Sequence, residues 1–191
     1  MFLIVLVLTG ALAVPLLGGR LSALADVEVR LGWVLFAALA LQVVSLYLPG
    51  LPRGARVALG VVSYPVAGVF VAANRHLPGV PLAALGAALN LLAILANGGV
   101  MPASLSALAT AGLPVDASGY RNSAAVADPR LAFLGDVFAI PASWPFSNVF
   151  SVGDVLLGLG AVWGVHRVCG SRLASPPRFR RPRPPSAPDG P

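Results

Sequence analysis

No lysine occurs anywhere in the chain, and charge of either sign is scarce: 13 arginines and 7 acidic residues in 191 positions, 10% of the total. A water-soluble domain carries roughly a quarter charged residues, so the deficit argues against water as the solvent for most of this chain. The single cysteine, Cys169, excludes an internal disulfide. With only His76 and His166 beside it there is no zinc-type ligand spacing. Gly-rich phosphate loops and HExxH pairs are also missing. Neither catalytic residue, metal nor cofactor is therefore expected. The net charge of +6 would suggest nucleic acid in a soluble protein, but six of the thirteen arginines lie from Arg167 onward. The basicity is local, and no specific nucleic-acid partner is expected.

What is abundant is apolar sequence: 57% of the residues are hydrophobic. A hydrocarbon layer about 30 Å thick needs ~20 mostly apolar helical residues. Five stretches qualify, at about 2–17, 31–48, 57–74, 79–97 and 152–168, and all but the last contain no charge at all. The first could be read as a cleaved signal peptide, since Ala11-Leu12-Ala13 has the small-x-small form, but no positive charge precedes its apolar run. It is read as a span. Pro65 in the third predicts a kink. The expected fold class is all-α: a polytopic membrane bundle of about five transmembrane helices, with an ordered loop or re-entrant region before the last. Residues 1–170 would form this domain, and 171–191 a disordered Arg/Pro-rich cytoplasmic tail.

Sidedness follows from the arginines. With the amino terminus outside, Arg20, Arg30, Arg75, Arg167 and five tail arginines fall in the cytoplasm, against Arg53, Arg56, Arg121 and Arg130 outside. This satisfies the positive-inside rule, with the tail deciding it. The expected location is the plasma membrane, with membrane lipids as partners and the tail touching anionic headgroups.

Residues 98–151 fit neither a span nor a linker. Pro102 to Gly112 reads as a short helix stopped by glycine. Asp128-Pro129 has the form of a cap opening another helix through Leu134, stopped by Gly135. The apolar, aromatic run from Asp136 to Phe146 is too short to span and is broken by Pro141 and Pro145. Its backbone polar groups cannot rest unpaired in lipid, so a re-entrant or lid-like segment over the bundle, or an interfacial one, is expected.

The polar residues here form the candidate cluster: Asn97, Gly98, Gly99, Asp136, Asn148 and Asp154. Each also has a structural reading. Asn90 and Asn97, seven apart, share a helix face and suit interhelical hydrogen bonds. Asn97-Gly98-Gly99 reads as a helix stop. Asp154, three residues after Ser151, has capping-box spacing, and Asp136 would cap a following turn. Gly160 and Gly164 form a GxxxG pair that admits another helix at close range, from a membrane-protein partner or a second copy of the chain.

The blocks Asn97-Gly98-Gly99-Val100-Met101-Pro102, Leu134-Gly135-Asp136-Val137 and Asn148 to Val155 resemble a family of small bacterial, chiefly actinobacterial, multi-pass membrane proteins of unknown function. The resemblance implies a bacterial membrane protein whose distinctive residues gather in this region, and no activity. The expected function is a non-enzymatic scaffold or accessory subunit with a folded extracytoplasmic region. The alternative is a small-solute or ion transporter or channel with a broken-helix site around Asn97, Asp136, Asn148 and Asp154.

Overall fold

The computed structural model describes residues 2–115 and 123–174, and within them the chain is mostly helical. Five longer helices dominate: α1 (Phe2–Leu16), α2 (Gly32–Tyr47), α3 (Arg53–Asn74), α4 (Val80–Ala96) and α6 (Val152–Val168). They fall where the apolar runs predict, within a residue or two except at α3. That helix begins at Arg53 rather than Val57, one turn earlier than the arginines suggested. Among the described residues, α3 is the one helix long and apolar enough to cross a membrane; α1, α2 and α4 are shorter apolar helices.

Arg56 explains the early start of α3. Its guanidinium reaches back to α2, donating to the carbonyls of Ser45 (3.1 Å), Leu46 (3.4 Å) and Leu48 (2.8 Å), while Nε donates to Leu51 (3.1 Å). These are carbonyls that a helix end leaves without intrahelical partners, and a cation there also complements the helix dipole. Ser45 returns a bond from Oγ to the Arg56 carbonyl. The other end of the α2–α3 hairpin is clasped by the fully buried Asn74, whose amide accepts from Arg30 N and donates to Arg30 O and Phe70 O. Replacing Arg56 by Lys removes the planar fork that serves several carbonyls at once. We expect R56K to lose about 1–2 kcal/mol and R56A about 2–3 kcal/mol of stability, measured by thermal unfolding in detergent.

α6 is the hub of the remaining helices, packing on α4 along its length and on α1. The α4–α6 contact is made of glycines and alanines set backbone to backbone. A Cβ on Gly160 would lie 2.6 Å from Ala83 N, one on Gly164 2.5 Å from Pro78 O, and one on Gly86 2.7 Å from Leu157 N. The GxxxG pair therefore lies against its own chain, Gly160 against Gly79 and Ala83 at the start of α4 and Gly164 against Pro78 in the turn before it. On the other side of α6, Gly158 lies against Leu6 and Gly10 against Val162. α1 is thus an integral helix of the bundle. Beyond α6, Ser171 is buried and its hydroxyl lies 2.6 Å from His166 Nδ1. Arg172 N donates to Leu17 O, and Ala174 is buried. The ordered domain extends at least to Ala174 and not only to 170; the rest of the expected disordered tail, 175–191, lies outside the described residues.

The alternation of helices collects Arg20, Arg30, Arg75 and Arg167 at one end of the bundle, called here the arginine end, and the segment between α4 and α6 at the other. Arg121 lies outside the described residues. The segment folds into a cap. Short helix α5 (Leu105–Ala111), ended by Gly112 as expected, packs on an antiparallel hairpin of β3 (Phe138–Ile140) and β4 (Asn148–Phe150). Ala103, Ala107, Leu108, Ala111 and Val149 form its small core. A second short pair, β1 (Met101–Pro102) with β2 (Ser123–Ala124), runs parallel.

Two expectations fail here. Asp128 does not cap a helix: its φ of +51° is left-handed, whereas a cap residue is extended, and only a turn of 3-10 helix forms at Ala132–Leu134. The other is the all-α class, since the run from Asp136 to Phe146 contributes the strand β3. Its backbone groups pair across the β3–β4 hairpin, so the chain is not purely α, and Phe138 and Phe150 stack on each other while Phe150 stacks on Phe2 of α1. The hairpin closes over that end of the bundle.

Candidate functional site

Three of the eight buried polar residues among those described, Asn90, Asp136 and Ser151, lie at the seam where the cap meets the bundle. Ser151 directly follows β4 and caps α6 in a full capping box: its Oγ accepts from Asp154 N at 3.0 Å, and Asp154 Oδ2 accepts from Ser151 N at 3.1 Å. The predicted cap is therefore present, and α4 adds to it. Asn90 donates from Nδ2 to Asp154 Oδ1 at 2.9 Å and accepts from Ser151 Oγ at 2.8 Å. Ser151, Asp154 and Asn90 close a ring of hydrogen bonds, with Ser151 fully buried and Asn90 nearly so. Gly153 makes room for it, since any Cβ there would run into the Asn90 carboxamide. Asn90 was legible as an interhelical hydrogen-bond former. Its partners, more than sixty residues away, were not.

Seven residues along the same helix, Asn97 fastens the cap a second time. It ends α4, donating from Nδ2 to Ala93 O and to Arg130 O (both 2.8 Å) and accepting from Arg130 N at 2.9 Å. The expected helix stop follows: Gly98 and Gly99 are left-handed, with φ of +67° and +89°, and Gly99 N closes on Ile94 O at 2.9 Å. Below this clamp, Ala93 and Ile94 of α4 pack against Met101 and Leu134 of the cap.

Asp136 occupies a third place. It is buried, its N donates to Pro102 O at 2.8 Å, and its carbonyl accepts from Ser104 N at 3.0 Å, forming a bridge to Ala103. It leads into β3 and caps no helical turn, contrary to expectation. Asn148 stands in β4 opposite Ile140. The candidate positions enter separate hydrogen-bonded arrangements: Asp154 the Asn90 ring, Asn97 with its two glycines the Arg130 clamp, and the Asp136 backbone the Ala103 strand.

Among the described residues no group of three or more His, Cys, Asp or Glu could hold a metal ion, and no buried side-chain nitrogen or oxygen lacks a hydrogen bond. The pairing of His166 with Ser171 was not anticipated. Both are 1% exposed or less, so a substrate has no approach to the hydroxyl. The pair acts as a fastening at the arginine end.

The chain is 31% identical over 99 residues to an uncharacterized protein of Thermotoga maritima, covering 52% of this chain and 57% of that relative. No solved structure matches. A family model for proteins of unknown function, DUF5317, matches residues 26–166, a stretch that contains α2 to α4, the whole cap and nearly all of α6. All three cap joints lie inside it, and by that match the chain belongs to the DUF5317 family.

Proposed function

We propose that the chain is a multi-pass protein of the plasma membrane, its five longer helices crossing the bilayer, and that it acts as a non-enzymatic scaffold or accessory subunit presenting the cap outside the cell. The observation that carries the membrane part is where the apolar surface lies. Ile4, Leu8, Leu12 and Leu16 of α1 form a stripe 58–87% exposed, and Trp33, Phe36, Val43 and Tyr47 extend another along α2. Only 11% of the most apolar window of α3 is buried. A soluble fold would turn such faces inward; in hydrocarbon they are the solvated faces. Helices of 15–17 residues reach about 23–26 Å at 1.5 Å per residue, and flanking residues or local thinning make up a mismatch of this size.

The scaffold part rests on how the cap's polar groups are used. A transporter site would need Asn97, Asp136, Asn148 and Asp154 to converge, whereas Asn97, Asp136 and Asp154 serve three separate joints and Asn148 stands in β4. What the cap leaves on its surface is aromatic: Phe133, Phe138, Trp144 and Phe146 are each 44% exposed or more. This is the residue type enriched in protein interfaces. The positive-inside balance supports a cap outside and the arginine end in the cytoplasm.

Single cysteines placed from Gly98 to Ser151 in a Cys169→Ser background test this reading. An impermeant maleimide added to intact cells is expected to label Leu105, Trp144 and Phe146 positions and to spare Ala107, Leu108 and Val149. Uniform labelling would remove the folded cap, and labelling only after lysis would reverse the orientation.

A further inference from the structure

Between the α2–α3 hairpin and the α4–α6 pair, at the arginine end, lies a cleft of about 470 Å³. Its walls are apolar, from Val27, Phe70, Leu77, Ala84, Ala161 and Val168 among others, and no charged or amide side chain lines it. Val27 and Val29 face it while Glu28 between them does not, as alternation in extended chain requires. Water needs two to four polar partners to occupy such a space and would find none. Along α6 the cleft runs from Leu157 to Val168, about 16 Å at 1.5 Å per residue, which is about half of a hydrocarbon core about 30 Å thick. It is therefore one leaflet deep. The turn Leu77-Pro78-Gly79 that closes it also walls a second pocket lined by Arg75, His76 and Trp163. Arg75 ends α3 and is exposed, so a cation and a hydrogen-bonding ring stand just past the apolar end of the cleft.

We infer that this is a binding site for one anionic phospholipid of the adjoining leaflet, its acyl chain in the cleft and its phosphate at Arg75 and His76. The inference rests on the multi-pass reading and adds a defined ligand to it. A membrane-embedded apolar cleft fills with hydrocarbon; the adjacent cation selects which lipid.

The full-length chain, purified in detergent and delipidated, should be titrated with dioleoyl phosphatidylglycerol or dioleoyl phosphatidylcholine and weighed by native mass spectrometry. Wild type is expected to retain one phosphatidylglycerol, preferred about fivefold over phosphatidylcholine, the ratio for one arginine near a lipid surface. Ala84→Phe with Ala161→Phe should abolish retention of both lipids. Arg75→Gln, at an exposed position that leaves the helices intact, should remove the preference and keep the binding. Equal retention of the two lipids, no retained lipid, or unchanged binding in the filled variant overturns the site. Purification as a compact monomer without detergent would instead overturn the membrane reading itself.

Discussion

Gly160→Val is expected to abolish folded protein. The β-carbon alone would stand 2.6 Å from Ala83 N and 2.7 Å from Gly79 O, and both atoms are backbone, so no side-chain rotation relieves the clash. Either α4 and α6 separate, losing the contact around which the bundle is built, or the turn before α4 is rebuilt. Overpacking ordinarily costs about 1–3 kcal/mol, but a collision between two helix backbones belongs with the exceptional losses above about 4 kcal/mol. Gly160→Ala should already be severely impaired. The control is Gly68→Ala in α3, where nothing lies within 4 Å of the new methyl. Replacing a helix-interior glycine there should stabilise by about 0.5–1 kcal/mol. Monodispersity in detergent and the thermal midpoint distinguish the two directions.

Asn90→Leu is the second large effect, and it acts by a different route. The leucine fits an apolar helix face, yet it leaves Ser151 Oγ without its acceptor and Asp154 Oδ1 without its donor at the buried head of α6. Hydrogen bonds to charged groups contribute about 1.5–3 kcal/mol and stranded buried polar groups cost about as much. A loss of about 3 kcal/mol follows. Because Ser151 directly follows β4, the damage should spread to the hairpin: a cysteine at Val149, protected in the parent, should become reactive. A cycle with Ser151→Ala should show non-additivity of about 1 kcal/mol, since both residues belong to one ring. Strict additivity would mean that the ring does not act as a unit.

The sequence reveals the helices because nearly every apolar run long enough to matter is bounded by a glycine, proline or arginine. Local chemistry is equally plain. Ser151 and Asp154 announce a capping box, and Asn97-Gly98-Gly99 a helix stop, because both motifs are completed within four residues. Long-range partners are not legible in this way. Asn90 declares a need for hydrogen bonds without saying that Ser151 and Asp154 answer it, and Arg56 reads as a loop charge until α2 is folded back beside it. Gly160 and Gly164 show that a helix comes close, whether from the same chain or another; the short connection from Asn74 to Val80 does not reveal that α4 is that helix. The β3–β4 hairpin escapes notice for another reason. Strands of three residues are too brief for alternation to register, and Pro141 and Pro145 read as breaks when they flank a turn.

The central claim is that the exposed apolar faces of the five long helices are bathed in hydrocarbon. Single cysteines at Leu8, Leu39, Val62, Leu85 and Leu159, one on each helix and each 48–58% exposed in the folded chain, put it to a direct test. In membranes from cells expressing the Cys169→Ser protein, all five should resist a water-soluble maleimide and react only after denaturation in detergent. Rapid labelling at these positions in the native state would mean that water, and not lipid, covers them, and the five crossings would be contradicted together.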